Sequence, residues 1–163
     1  MRSLVQRVTS ARVEVDDEVV GAIDRGLLAY VGFGRADTIR DRTWTVAKIA
    51  GLRVFPDESG RMSLGVRDVG GAILLVSQFT LYGDLERGLR PSFDEAMPPD
   101  DAQACYEAAL RELRATGVPV QAGRFRAHMR VYSVNDGPVS IWIDSGSKGD
   151  TQERAGRGER PGP

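Results

Sequence analysis

The chain carries a single histidine, His128, and a single cysteine, Cys105. That scarcity excludes much familiar chemistry. A Ser-His-Asp hydrolase needs a histidine oriented by a carboxylate and touching a nucleophile. His128 stands between two arginines in Arg126-Ala127-His128-Met129-Arg130 and reads as a partly exposed surface residue. Zinc sites gather His, Cys, Asp and Glu ligands, and one His with one Cys does not supply them. The residues therefore call for no metal and no cofactor. One cysteine makes no internal disulfide, and Cys105 falls on the inward face of an amphipathic segment, where a thiol acts as a small hydrophobe. A phosphate-cradling loop ending in Lys-Ser is missing, and Gly32-Phe33-Gly34 is too short to replace it. No apolar run approaches the ~20 residues that span a bilayer, and no signal-peptide pattern opens the chain. A cytoplasmic protein without membrane contact is expected. Basic excess is lacking too, because the formal net charge is −1. Proteins that track a long nucleic-acid backbone are driven by phosphate neutralisation, so contact with RNA would be local, at one end or one nucleotide.

What is present is an ordinary globular composition, 41% hydrophobic and 28% charged, in 163 residues. That length makes one domain with a real core. Val5, Val8, Val13, Val15, Val19, Val20 and Ile23 form short β-type runs broken at Thr9-Ser10 and Asp16-Asp17, and Leu27 to Val31 is strongly apolar. These predict four short antiparallel strands. From Asp37 to about Ala50 the pattern turns helical, with Trp44, Ala47 and either Ile49 or Ala50 facing inward and Gly51 as a stop. A strand from Leu52 to Phe55 and a turn from Pro56 to Gly60 follow. Ala72 to Val76 reads as a buried central strand, and residues 82–97 as a polar loop. Pro98-Pro99-Asp100 opens the clearest helix. Ala102, Cys105, Tyr106, Ala109, Leu110 and Leu113 share one face of it, and Gly117 ends it. Strands at about Val118–Ala122, Met129–Asn135 and Val139–Asp144 complete a domain over residues 1–144. A polar tail over 145–163, without large apolar residues, is expected to be disordered.

Two segments survive the filter of missing chemistry. Val76-Ser77-Gln78-Phe79-Thr80-Leu81 sits where the central strand ends. A strand end that stops pairing leaves backbone N–H groups free, and such donors stabilise an oxyanion without any titrating side chain. Ser77 and Thr80 also read as simple strand terminators, or as nucleophiles, although a hydroxyl nucleophile needs a base and none is evident nearby. The second segment, Asn135-Asp136-Gly137-Pro138-Val139-Ser140, places a Gly-Pro turn between two β-rich runs. A tight hairpin is the common use of such a pair; a cis bond is the rarer one, and it would form a rigid main-chain wall.

These two segments, with Val5-Gln6-Arg7-Val8, Ala11-Arg12-Val13, Arg90-Pro91-Ser92-Phe93 and Gly123-Arg124-Phe125, resemble the D-aminoacyl-tRNA deacylase (D-tyrosyl-tRNA deacylase) family from Met1 to Asp144. The resemblance implies an α/β fold. Its mixed, largely antiparallel β-sheet would lie in β/β/α layers with two main helices and work as a homodimer. It implies hydrolysis of the ester joining a D-amino acid, or mischarged glycine, to the 3′-terminal adenosine of tRNA. A cis Gly137-Pro138 of one subunit would enter the other's pocket to exclude L-amino acids, held by Arg7. Ser77, Gln78, Phe79 and Thr80 would line that pocket, with the Phe79 N–H as oxyanion donor and the substrate's ribose hydroxyl assisting. Met129, Gly123, Phe125 and Asn135 would bind substrate. The chain departs from the family at Ser140, where threonine is usual, and at Arg126, where a small residue is usual. Arg87, Arg90, Arg124, Arg126 and Arg130 are available for local phosphate contact. An ordinary esterase using Ser77 or Thr80, a nucleic-acid binding module without chemistry, and a ligand-free structural dimer are the competing readings.

Overall fold

A computed structural model describes residues 1–146. The strands are β1 (Arg2–Val15), β2 (Glu18–Ile23), β3 (Gly26–Gly32), β4 (Arg53–Pro56), β5 (Met62–Gly65), β6 (Ala72–Ser77), β7 (Val120–Ala122) and β8 (Arg130–Asp144). The helices are α1 (Ile39–Gly51) and α2 (Pro99–Ala115), with a 3₁₀ turn at Phe79–Tyr82. The main sheet runs β2-β1-β3-β6-β7, with β8 added to β1. β1 is antiparallel to β2, β3 and β8, whereas β3–β6 and β6–β7 are parallel. β2 also packs on β6 and β7, so the sheet curls until it nearly closes. The two expected β layers are opposite walls of one barrel-like sheet.

The expected break at Thr9-Ser10 does not end a strand. β1 stays extended there while it changes neighbours, pairing with β3 through Arg2 to Val8 and with β2 from Ala11 to Val15. Thr9 and Ser10 are exposed between the two, which is why their polarity mimics a turn. β5 and the 3₁₀ turn have no counterpart among the expected elements; four residues give too little periodicity to read.

Val8, Ala11, Val13, Ile23, Leu28, Leu74 and Val76 fill the barrel. The other face of β3 and β6, through Leu27, Ala29, Ile73 and Leu75, packs on the helices. α1 begins with a capping box between Thr38 and Asp41, which satisfies orphan donors at both positions. Its inward face is Thr45, Val46 and Ile49, with Trp44 half-buried and Ala47 exposed. Ile49 faces inward as expected, whereas Thr45 and Val46 take the place expected for Ala47. α2 starts on Pro98 and Pro99 and buries Tyr106, Ala109 and Leu113 as its periodicity predicts. Among the described residues no helix is long and apolar enough to cross a membrane. Ser145 is buried and its N–H bonds the Met1 carbonyl at 2.9 Å; the expected tail beyond residue 146 lies outside the described residues.

Tyr106 ties α2 to the floor of the sheet. Its hydroxyl donates to the Leu75 carbonyl at 2.8 Å and lies 3.4 Å from the Gly123 carbonyl. Burial raises its ionisation above the ordinary phenol range, so the group stays a neutral donor. The Leu75 carbonyl also accepts the Gly123 N–H at 2.9 Å, so losing the hydroxyl does not orphan it. Tyr106→Phe is expected to cost about 1 kcal/mol and to lower the thermal midpoint by about 2–4 °C, read by urea and thermal unfolding.

Candidate active site

β6 carries its apolar run to Val76 and then loses its neighbour. The Gln78 N–H makes a last bond to the Val31 carbonyl at 2.7 Å, and the chain turns into the 3₁₀ segment. Gln78 caps that segment without a side-chain bond, so the N–H groups of Phe79 and Thr80 open the turn with no carbonyl behind them. Next to this strand end is a cleft of about 580 Å³. Ser77, Gln78 and Phe79 form one wall. Phe93, edge-on to Phe79 at 4.9 Å between ring centres, belongs to a second. Phe125 and Met129 belong to a third. Volume and lining suit a small molecule with one apolar and one polar part.

The loop expected over residues 82–97 is fastened as part of this cleft. Asp84 and Ser92 exchange backbone bonds at 2.8 and 2.9 Å, and Met97 N–H bonds the Phe33 carbonyl at 2.9 Å. The 3₁₀ turn itself is clamped. Arg2 donates to the Leu81 carbonyl at 3.1 Å, pairs with Asp144 at 3.3 Å and stacks on the Tyr82 ring at 4.4 Å. The Tyr82 hydroxyl donates to Asp37 at 3.1 Å. Burial and the Asp37 carboxylate hold Tyr82 above the ordinary phenol range. None of Arg2, Asp37 or Tyr82 is marked in the sequence as site machinery; their link is purely spatial. Gly34 is the one piece with a signal, because a glycine closing an apolar strand leaves room for a neighbour.

The second segment is not a hairpin turn. β8 is one strand of 15 residues through it. Gln6 faces Ser140 and Val8 faces Asn135, so the four residues 136–139 stand against Arg7 alone. The result is a large bulge with Asp136, Gly137 and Pro138 pushed into solvent and Val139 tucked in. The Gly137–Pro138 bond is cis, and Gly137 has φ +133, a conformation side chains rarely adopt. Asn135 Oδ1 accepts the Val139 N–H at 2.8 Å, and Asn135 Nδ2 donates to Ser140 Oγ at 3.1 Å. Gln6 also donates to Ser140 Oγ at 3.2 Å, so a serine hydroxyl suffices at this position. The Arg7 side chain is buried beneath. It donates to the Asp136 carbonyl at 3.0 Å and the Val54 carbonyl at 2.5 Å, and pairs with the Asp136 carboxylate at 3.1 Å.

Of the expected residues, the structure brings Ser77, Gln78, Phe79, Phe125 and Met129 into one cleft. Thr80 turns aside to accept a hydrogen bond from the Gln78 side chain. Gly123 lies behind the wall, bonded to Leu75 and Tyr106. Asn135 closes the bulge and does not line the cleft. Arg7, Gly137 and Pro138 do not line it either. Arg7 faces Leu27 near the start of β3, whereas the cleft is at Val31. Four residues of strand, roughly 13 Å, separate the two levels. His128 is exposed at the cleft and Cys105 half-buried on α2.

A curled mixed sheet with a cleft at one strand end, walled by main chain and aromatic rings, defines the class: an α/β protein with a cleft of small-molecule size. The comparisons refine this. Residues 4–144 match the family described as D-Tyr-tRNA(Tyr) deacylase. A D-aminoacyl-tRNA deacylase of Thermotoga petrophila is 56% identical over 145 residues, covering 89% of this chain and 97% of the relative. One of Sorangium cellulosum is 57% identical over 146 residues, with 89% and 97% covered. Among solved structures, one named c-Myc DNA Unwinding Element Binding Protein superposes with a TM-score of 0.83 at 42% identity, covering 88% of this chain and 98% of that one. Another, described as a probable eukaryotic D-amino acid tRNA deacylase, shares the fold with a TM-score of 0.75 at 17% identity, covering 87% and 97%. The chain belongs to the D-Tyr-tRNA(Tyr) deacylase family, and it is an ester hydrolase.

An alanine Cβ at position 34 would come within 2.7 Å of the Tyr82 ring. Gly34→Ala is therefore expected to displace Tyr82 and the 3₁₀ turn, lowering stability by roughly 1–3 kcal/mol and reducing hydrolysis. Thermal unfolding and a turnover assay check it; an unchanged melting point would contradict the clamp.

Proposed function

We propose that this enzyme hydrolyses the ester between a D-amino acid, or glycine, and the 3′-terminal adenosine of tRNA, acting as a homodimer in the cytoplasm. The aminoacyl group enters the cleft beside Ser77, Gln78 and Phe79. Water adds to the ester carbonyl, and the Phe79 N–H donates to the oxygen as its charge develops. The bond to the ribose oxygen then breaks, that oxygen takes a proton, and free amino acid and tRNA leave. The ribose hydroxyl beside the ester assists in place of a protein base. An aminoacyl ester is already activated, so positioning and oxyanion stabilisation go far.

The observation that carries this reading is the separation of the two signature segments. Ser77, Gln78 and Phe79 line a cleft, while the Gly137–Pro138 ridge stands in solvent at another level of the same chain. A ridge so held has no task in its own protomer and suits a second copy's cleft. β8 favours the second copy. It pairs only with β1 among the described strands, and it exposes Tyr132, Val134 and Trp142, an apolar edge that natural proteins cover. From the partner, a stiff main-chain ridge rejects an L side chain by clash, which raises the penalty for the wrong stereoisomer. Arg7 positions the ridge; Met129 and Phe125 contact the adenosine end, with Gly123 and Asn135 supporting from behind.

An ordinary serine or threonine esterase fits less well. Thr80 Oγ1 accepts a hydrogen bond from the Gln78 amide, and an amide N–H is no base to take its proton.

Purified protein is expected to deacylate D-tyrosyl-tRNA and leave matched L-tyrosyl-tRNA intact. Equal cleavage of both, or of neither, would contradict the assignment. Ser77→Ala and Thr80→Ala are each expected to keep kcat within about tenfold, whereas removal of a true nucleophile costs on the order of 10⁴–10⁶.

A further inference from the structure

The cleft has a charge that the chain as a whole lacks. Net charge is −1, yet among the described residues the cleft is lined by Arg35, Arg126 and His128 and by no carboxylate. The other arginines singled out for phosphate contact do not line it. Arg124 pairs with Glu18 at 3.7 Å, and Arg130 with Glu14 at 3.9 Å and with Asp17.

Arg126 and Arg35 are differently placed. Arg126 follows Phe125 in the lining of the cleft and has φ +66. An L residue is uncommon there. Its recorded partner is Asp100 at 3.2 Å, and both side chains are largely exposed, at 65% and 94%. Such a pair is weak and exchangeable. Arg35, exposed in the lining of the same cleft, donates its Nε to the Asp94 carbonyl at 2.5 Å. That bond fixes the stem and leaves the outer guanidinium nitrogens for another acceptor. It has no carboxylate partner among the described residues.

We propose that Arg35 and Arg126 form a phosphodiester clamp at the mouth of the cleft, gripping the link between the terminal nucleoside and the nucleotide before it. The inference rests on the tRNA-ester reading and extends it to this chain's own specificity: the enzyme measures one phosphate beyond the reacting nucleoside. Guanidinium groups suit the task because their planar forks match phosphate oxygens. One or two local contacts also explain how a near-neutral protein handles RNA without a basic face.

The test compares three D-tyrosyl esters on the full chain: adenosine, the dinucleotide cytidylyl-adenosine, and tRNA. Wild type is expected to prefer the dinucleotide over the nucleoside by kcat/KM, with most of the gain in KM and with tRNA close to the dinucleotide. Arg126→Gly suits the backbone at φ +66 and so should not unfold the loop. With Arg35→Gln it is expected to reduce that preference about tenfold per arginine and to flatten the salt slope of tRNA kcat/KM by about one. Inorganic phosphate added to both the nucleoside-ester and the dinucleotide-ester reactions separates the two cases: inhibition of the dinucleotide reaction alone supports the clamp, and equal inhibition of both would overturn it. Equal kcat/KM for nucleoside and dinucleotide in wild type, or variants that lose all three esters in proportion, would overturn the clamp while leaving the deacylase reading intact. Failure of wild type on every ester would overturn that reading and the clamp with it.

Discussion

One buried guanidinium governs the architecture of the proposed chiral filter. Arg7 lies under the bulge of β8 and bonds two main-chain carbonyls, those of Asp136 on β8 and Val54 on β4. A buried charge is tolerated only when it is paired and hydrogen-bonded, and here each bond also constrains a backbone. Four residues of β8 are thereby held out against one of β1. Asn135 completes the lock by taking the Val139 N–H as the chain returns to the sheet. A ridge fixed from below by charge and from both ends by strand pairing is stiff in the sense that steric discrimination requires.

The other half of the site follows the same economy. The 3₁₀ turn after β6 is anchored by Arg2, Tyr82 and Asp37, all outside the signature run. With its carbonyls and rings tied, the N–H groups at its start point wherever the strand end directs them. Preorganised main-chain donors need no titrating group and no reorganisation as charge develops. This suits a chain with one histidine and one cysteine. In the proposed mechanism, the scarcity of side-chain catalysts and the abundance of fixed backbone are two aspects of one design.

Much of this was legible in the residues. The apolar run ending at Ser77 marks the cleft wall, and the i, i+3, i+4 pattern of α2 places Tyr106 and Leu113 correctly, because periodicity reports burial directly. Pattern failed where tertiary partners decide the conformation. Thr9-Ser10 looks like a break because polarity marks both turns and strands that change neighbours. Gly137-Pro138 looks like a hairpin because local composition does not reveal that both flanking runs pair with the same strand. Ala47 reads as inward because several helical registers fit a short apolar pattern, and packing chose Thr45 and Val46 beside Ile49. Arg2, Asp37 and Tyr82 had no local signal, since their coupling spans most of the chain.

The central claim is that the ridge of one protomer serves the cleft of the other, and a mixed dimer tests it most directly. One chain carries Phe79→Pro, which removes the proposed oxyanion donor. The other carries Gly137→Ala, whose Cβ would stand 2.7 Å from Val139 Cγ2 at φ +133. The Gly137→Ala homodimer should cleave L-tyrosyl-tRNA as well as the D-ester, and the Phe79→Pro homodimer neither. In the purified heterodimer the intact cleft meets an intact ridge from its partner, so cleavage of the D-ester with the L-ester spared is the predicted result. A heterodimer that still cleaves the L-ester at about half the Gly137→Ala homodimer's rate would mean that each ridge acts on its own chain, contrary to the account.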